Sequence, residues 1–140
     1  MKILFICKGN VARSQIAEAL FRKKFGDKYE VFSAGTEISG REQPLGELNP
    51  KIIDVFSVMN EEGVDLSTAC RKQLTEVMVN NADKVVVIME DIEELPDYLL
   101  QSSKMERWSI ADPKGKGLDF TRNVKNKIKA DINYNIIKNN

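Results

Sequence analysis

The sequence contains no histidine and only two cysteines among its 140 residues. The absence of histidine excludes every mechanism that uses imidazole as a base or as a metal ligand, including serine–histidine and cysteine–histidine catalysis. The two cysteines, Cys7 and Cys70, lie far apart in the chain, so they form neither a Cys-x-x-Cys redox pair nor a zinc cluster. We therefore expect neither a metal nor another cofactor.

Long apolar runs and an excess of one charge are also absent. The longest apolar runs, Ile3–Cys7 and Val85–Met89, are much shorter than the roughly 18 residues that cross a membrane. Lys and Arg total 21, as do Asp and Glu, and this zero net charge is not typical of a nucleic-acid-binding protein. Since the sequence has no secretory signal, we expect a cytoplasmic protein with reduced thiols and without membrane or nucleic-acid partners.

What is present is the composition of a globular protein, and the length predicts one domain spanning residues 1–140. Short apolar segments predict strands at 2–6, 29–33, 84–89 and 106–110. Apolar periodicity and capping residues predict helices at 14–25, 50–62 (capped by Asn49, with Pro50 first), about 71–81, 90–100 (interrupted by Pro96) and 118–140. The segment 36–49 is predicted to be a loop. This alternation predicts an α/β fold in which a four-stranded parallel sheet is flanked by helices on both faces.

Ligands of such sheets bind at the carboxyl ends of the strands, which here are followed by the segments 7–13, 34–37, 90–91 and 111–113. The first of these enters a helix and has the pattern Cys-x5-Arg-Ser. Gly9 and Asn10 tolerate the positive φ that an inward ring of N–H groups requires, while Arg13 and the helix N-terminus add positive charge. This segment therefore predicts a binding site for phosphate or a similar oxyanion, formed by Lys8, Gly9, Asn10, Val11, Ala12, Arg13 and Ser14.

Cys7 would lie at the bottom of that site, where the helix N-terminus and Arg13 favour its thiolate form and Ser14 can donate a hydrogen bond to it. The alternative is that Cys7 is a small buried apolar residue at the end of a strand. A leaving alcohol also needs a proton, and without histidine the donor must be a carboxyl group. The candidates on the loops at the strand ends are Glu37, Glu90, Asp91 and Asp112, although Asp91 is also a candidate helix cap and Asp112-Pro113 a simple turn.

The sequence resembles the low-molecular-weight protein tyrosine phosphatase family, whose fold is shared with thioredoxin-coupled arsenate reductases. The matching segments are Cys7 through Ser14, Ser33-Ala34-Gly35-Thr36, Asn49-Pro50, Gly63-Val64-Asp65-Leu66-Ser67, Lys72-Gln73-Leu74, Ala82-Asp83 and Asp112-Pro113. The resemblance implies hydrolysis of a phosphorylated protein or a small phosphoester through a phosphocysteine on Cys7. It also implies that Arg13 binds the phosphate and that Asp112 is the general acid, which later activates the hydrolytic water.

Four positions depart from the family pattern. Lys114 follows Asp-Pro where a tyrosine is usual, and the loop after Thr36 has no aromatic residue, so phosphoesters other than phosphotyrosine are also candidate substrates. Ala69 stands where a histidine supports the loop asparagine, so we expect Asn10 to contact the Ser33 hydroxyl instead. Ala12 stands where many relatives have a second cysteine, which excludes a disulfide within the loop.

Two alternative functions remain open at this point. The arsenate-reductase alternative needs two further cysteines near the end of the third strand, and the segment 87–94 has none. Cys70 is the only other thiol, and we expect it to have a structural role near the start of a helix. The second alternative is a phosphate-binding or phosphotyrosine-binding module without turnover, but such a module has no need of the proton donor Asp112.

Overall fold

The strands and helices follow the alternation that the sequence predicts. The computed structural model describes residues 1–92 and 94–137. The strands are β1 (Lys2–Cys7), β2 (Glu30–Gly35), β3 (Gln43–Pro44), β4 (Cys70–Arg71), β5 (Lys84–Ile88) and β6 (Met105–Trp108). The α-helices are α1 (Arg13–Phe25), α2 (Ile53–Glu61), α3 (Glu76–Asn81), α4 (Asp97–Leu100) and α5 (Leu118–Asp131).

The main sheet has four parallel strands in the order β2-β1-β5-β6, which confirms the predicted fold class. Side chains alternate between its faces, so each buried strand contributes to two separate cores. Ile3 and Phe5 pack with residues of α1, α2 and α5 on one face, whereas Leu4 and Ile6 pack with residues of α3 and α4 on the other. The helices on both faces therefore cover an apolar sheet and leave only its strand ends for polar chemistry.

The order of the strands in the sheet predicts where a ligand binds. After β1 the chain pairs β2 on one side, and it later adds β5 and β6 on the other side. The chain thus reverses direction across the sheet at β1, and the carboxyl end of β1 lies at the switch point where open α/β sheets bind ligands.

Segment 36–62 differs from its prediction in two respects. The part predicted to be a loop contains β3 and a 3-10 turn, Leu45–Leu48, and β3 pairs antiparallel with β4. The following helix begins at Ile53 rather than at Pro50, and Asn49 is not its cap. The reason is local, because the Ile53 N–H bonds to the Pro50 carbonyl in a turn that precedes the helix.

Two central helices are shorter than predicted. The helix expected from about Arg71 begins at Glu76, where the hydroxyl of Thr75 accepts a hydrogen bond from the Met78 N–H. Of the helix expected over 90–100, only α4 forms, directly after Pro96; Glu93 lies outside the described residues. Proline disfavours helical backbone in the residue before it, which is consistent with a helix that starts only after position 96.

The last helix ends at Asp131 and continues as a π-helical segment, Ile132–Ile137, while residues 138–140 of the predicted helix lie outside the described part. Over residues 1–92 and 94–137, none of the helices has the length and apolar character needed to span a membrane.

Candidate active site

The oxyanion loop, residues 7–14, connects β1 to α1. Of the two residues that tolerate a positive φ, Asn10 adopts one, at 53°, as expected for an inward-turning loop, whereas Gly9 does not. One residue with left-handed backbone is enough to turn this loop. Ala12 precedes α1, no side chain caps that helix, and its first turn has no acidic residue. The N–H groups and the positive end of α1 therefore remain available to an anion.

Asn10 holds the loop from behind through a fully buried side chain. Its Nδ2 donates to Ser14 Oγ at 2.8 Å and to Ser33 Oγ at 3.0 Å, so the predicted contact with Ser33 is present. Its Oδ1 accepts hydrogen bonds from the Lys72 backbone N–H at 2.8 Å and from Gln15 Nε2 at 3.1 Å. With Ala69 in the usual histidine position, these two donors hold the amide oxygen of Asn10, in addition to the predicted contact of its Nδ2 with Ser33.

Cys7 is the last residue of β1 and is 2% exposed. Its Sγ lies 2.9 Å from the Oγ of Ser14, which is itself completely buried in the first turn of α1. A hydroxyl at this distance can donate to a thiolate. Cys7 also lines the cleft described below, so its sulfur is buried against the protein on one side and reachable by a ligand on the other.

Arg13 and Asp112 approach each other across the mouth of the loop. The Arg13 guanidinium is 7% exposed; its Nη1 donates to the Ile110 carbonyl at 3.0 Å and its Nη2 lies 3.8 Å from Asp112 Oδ2. The Asp112 side chain is half exposed, and its Oδ1 accepts a hydrogen bond from the Lys114 N–H within a short turn. Asp112 is therefore both the start of a turn, as its sequence suggested, and a carboxyl group placed beside the oxyanion loop.

Gly35 has a positional role that the sequence analysis did not assign. A Cβ at this position would lie 2.6 Å from the Lys8 carbonyl oxygen and 2.9 Å from the Asn10 nitrogen. The oxyanion loop thus packs directly against the backbone of β2, and the N–H groups of Thr36 and Glu37 bond to the carbonyls of Cys7 and Lys8 at 2.9 and 3.0 Å. The glycine in Ser-Ala-Gly-Thr could have indicated a close backbone contact from the sequence, but the distances in the structure are needed to show that the contact is with the loop at Lys8 and Asn10.

A cleft of about 510 Å³ opens above the loop and is lined by both apolar and charged side chains. Of the predicted site residues it contains Cys7, Lys8, Gly9, Val11, Ala12, Arg13 and Asp112. Asn10 and Ser14 lie behind the loop and support it instead. Of the other acid candidates, Glu37 lines the cleft whereas Glu90 and Asp91 do not.

Cys70 does not lie where the sequence suggested. It is exposed on β4 and is not at the start of a helix, so it has no role in the core. Both cysteines are free thiols. Throughout residues 1–92 and 94–137, no three side chains of the metal-binding types are grouped closely enough to hold an ion.

The chain therefore combines a parallel α/β sheet with one loop, at the end of the first strand, that carries both a buried cysteine and a buried arginine. Comparison with known proteins identifies the family. The model of the low molecular weight phosphotyrosine protein phosphatases matches residues 2–136, and the chain belongs to this family.

The known relatives include both reductases and phosphatases. The chain is similar to arsenate reductase 2 of Staphylococcus haemolyticus, with 35% identity over 130 residues, or 93% of this chain and 92% of the relative. A solved arsenate reductase in the phosphate binding state has 26% identity, a TM-score of 0.77, and coverage of 98% and 97% of the two chains. A low molecular weight protein tyrosine phosphatase from T. tengcongensis has a TM-score of 0.79 at 24% identity, with 99% coverage of both chains, and supports the fold alone.

Proposed function

We propose that this protein is a metal-independent phosphomonoesterase of the protein tyrosine phosphatase type, which acts through a phosphocysteine on Cys7. The observation that carries the proposal is the placement of Cys7 Sγ, the Arg13 guanidinium and the Asp112 carboxyl on one cleft. A nucleophile, an oxyanion clamp and a proton donor are the three groups that this reaction requires. We assign the activity to one domain, residues 1–140, acting in the cytoplasm.

In the first step the Cys7 thiolate attacks phosphorus and the bond from phosphorus to the ester oxygen breaks. The N–H groups of the oxyanion loop and Arg13 bind the phosphoryl oxygens, whose charge is highest in the transition state. Protonated Asp112 gives its proton to the departing oxygen, which leaves as a neutral alcohol or phenol. Ser14 donates a hydrogen bond to the sulfur and holds it in position for the attack.

In the second step water attacks the phosphorus of the phosphocysteine and the sulfur–phosphorus bond breaks. The Asp112 carboxylate accepts a proton from the water, so the acid of the first step is the base of the second. Inorganic phosphate is released and the Cys7 thiolate is restored. Each group returns to its starting protonation state, and no external electron donor is needed.

Hydrolysis of an aryl phosphate in the presence of a chelator tests this function. We expect turnover that vanadate inhibits, loss of turnover in Cys7→Ser and Arg13→Ala, and a fall of about 10² or more in kcat for Asp112→Asn. Cys70→Ser is the matched control, because Cys70 is exposed outside the cleft, and it should retain full activity. Turnover that survives in Cys7→Ser would contradict the proposal, and tight phosphate binding without any hydrolysis would favour a non-catalytic binding module.

A second candidate function is arsenate reduction, which the similarity to staphylococcal arsenate reductases supports. Arsenate would bind the oxyanion loop, and the Cys7 thiolate would attack arsenic, so that a sulfur–arsenic bond forms while one arsenic–oxygen bond breaks and its oxygen leaves as water after protonation. A second thiolate would then attack the Cys7 sulfur, forming a disulfide while arsenic(V) leaves as arsenite. The sequence offers only Cys70 as an internal second thiol, so a relay of three thiols within one chain is excluded.

Arsenate consumption coupled to thioredoxin or glutathione tests this candidate. An internal relay predicts that Cys70→Ser abolishes reduction while aryl phosphate hydrolysis continues. Reduction that is unchanged in Cys70→Ser would exclude the internal relay and assign the second thiol to the external donor.

A further inference from the structure

Arg71 is a buried cation without a counter-charge on the wall of the cleft. The described residues contain three cationic side chains that are less than a tenth exposed: Arg13, Arg71 and Lys125. Arg13 lies beside Asp112, and Lys125 lies beside Glu61 and Glu62. Among residues 1–92 and 94–137, no carboxylate lies within 4.0 Å of the Arg71 guanidinium, and its hydrogen-bond partners are both neutral.

Those partners fix the position of the guanidinium. Its Nε donates to the Arg41 carbonyl at 3.0 Å and its Nη2 donates to Gln43 Oε1 at 2.8 Å. The β3–β4 pairing places Gln43 directly opposite Arg71, and a Cβ on Gly40 would lie only 3.0 Å from Nη2. The side chain is therefore held in one place before any ligand arrives, which lowers the entropic cost of binding.

The guanidinium retains an unused donor. Within the described part of the chain its Nη1 has no hydrogen-bond partner, yet Nη1 is not one of the fully enclosed nitrogens. Arg71 lines the same cleft as Cys7 and Asp112. Burying a charge without a partner is costly, whereas an arginine and a carboxylate can share two parallel hydrogen bonds.

We propose that Arg71 forms an anion-binding subsite in this cleft that recognises a carboxylate of the substrate. This inference rests on the proposed phosphoesterase function and adds the class of substrate: phosphoesters that also carry a carboxylate. Such a group can belong to a small acidic phosphoester or to an acidic side chain of a phosphorylated peptide. None of the described residues that line this cleft is aromatic, which agrees with selection by charge rather than by ring stacking.

The test compares pairs of aryl phosphates that differ only in one group, a carboxylate or its neutral carboxamide, placed at two distances from phosphorus. We expect Arg71→Gln to lower the ratio of kcat/KM for carboxylate over carboxamide about tenfold, mainly through KM. Differences in leaving-group reactivity cancel because each ratio is compared between variants. Arg41→Gln is the matched control, since it also removes one positive charge from an exposed side chain, paired with Glu47, outside the cleft.

Two results would overturn the inference. If Arg71→Gln lowers kcat/KM equally for carboxylate and carboxamide substrates, Arg71 has only a structural role. If Arg41→Gln lowers the carboxylate preference as much as Arg71→Gln does, the effect is only that of the net charge. If Arg71→Gln fails to fold, Arg71→Lys replaces it, and a carboxylate preference as high as in the wild type would contradict the bidentate contact.

A second measurement, binding by calorimetry, does not require turnover. Calorimetry of the carboxylate and carboxamide aryl phosphates with Cys7→Ser gives the preference for the carboxylate directly, and combining Cys7→Ser with Arg71→Gln should remove that preference. If the wild-type protein hydrolyses none of these phosphoesters but still binds the carboxylate member of each pair more tightly, the phosphoesterase function is refuted while the subsite at Arg71 is supported. Peptides containing phosphotyrosine next to Glu or Gln then distinguish a peptide substrate from a small acidic phosphoester.

Discussion

Asn10 joins the oxyanion loop to three other parts of the chain through one buried side chain. It contacts Ser33 at the end of β2, the backbone of Lys72, and Ser14 in the first turn of α1. Because Ser14 also contacts the Cys7 sulfur, the position of the proposed nucleophile depends on this amide. Asn10 does not line the cleft itself, but through Ser14 it helps to position Cys7, which does.

We predict that Asn10→Ala lowers both stability and activity. Each buried partner left unsatisfied costs about 1–3 kcal/mol, and alanine also tolerates the positive φ poorly. We expect a loss of at least about 2 kcal/mol in the free energy of unfolding and a fall of tenfold or more in kcat. Urea unfolding and aryl phosphate kinetics measure the two effects. Asn10→Gly, which keeps the backbone conformation, should recover part of the stability but not the activity; full activity in either variant would contradict the role of the amide.

Gly35→Ala gives a second prediction at the residue scale. The new Cβ would overlap the backbone of the oxyanion loop, which cannot move aside as a flexible side chain would. We expect destabilisation of about 1–3 kcal/mol, as for overpacking, together with a loss of phosphate affinity. The control is Gly26→Ala, where nothing lies within 4 Å of the new Cβ but φ is +58°. This control should lower stability alone, and a Gly35→Ala variant with unchanged phosphate affinity would refute the steric argument.

Among the elements, α2 and α5 are joined by a network of ion pairs on the face of the sheet opposite α3 and α4. Buried Lys125 lies 3.0 Å from Glu62 and 3.6 Å from Glu61, while Lys129 and Arg122 contact the same two carboxylates. A hydrogen bond from Arg122 lowers the pKa of Glu61, and hydrogen bonds from Lys129 and Lys125 lower the pKa of Glu62. Both carboxylates are therefore held in the charged form by folding.

The sign of the pH dependence follows from these lowered pKa values. Glu61 and Glu62 contribute stability above about pH 4.5, their unfolded value, and that contribution is lost as the pH falls through the lower folded values. We predict that Lys125→Met costs more stability at pH 7 than at pH 3, measured as the shift in the urea midpoint. Lys127→Met, on the exposed side of α5, is the matched control. An equal shift for Lys125→Met at both pH values would show that lost packing, not charge, is responsible.

At the scale of the whole molecule, the cleft gathers segments that are far apart in sequence: residues 7–14, the turn after β2, the β3–β4 ribbon, and the segment 110–115 after β6. The proposed oxyanion site is complete only when these segments are assembled, so we expect oxyanion binding to stabilise the folded state as a whole. Because oxyanion binding is coupled to folding in this way, the stability of the protein in the presence of an oxyanion reports on the site without an assay of turnover.

We predict that vanadate or tungstate raises the melting temperature. At 100 times Kd the linkage contributes about 2.7 kcal/mol, or about 8 °C for a chain of this size. The measurement is thermal unfolding followed by the fluorescence of Trp108, which is buried beside Phe5. Arg13→Ala should abolish the shift and Cys70→Ser should leave it unchanged. A shift that persists in Arg13→Ala would place the anion elsewhere.

The four-stranded sheet and the turn at Asn10 could be predicted from the amino-acid sequence, because apolar strands and turn residues act over a few neighbouring positions. The lack of histidine chemistry follows directly from the composition. Only the tertiary structure shows what depends on distant contacts: the close approach of the loop to Gly35 and the exposure of Cys70. It also decided the burial of Arg71, since that follows from β3 pairing with β4 across a separation in sequence that no local pattern records.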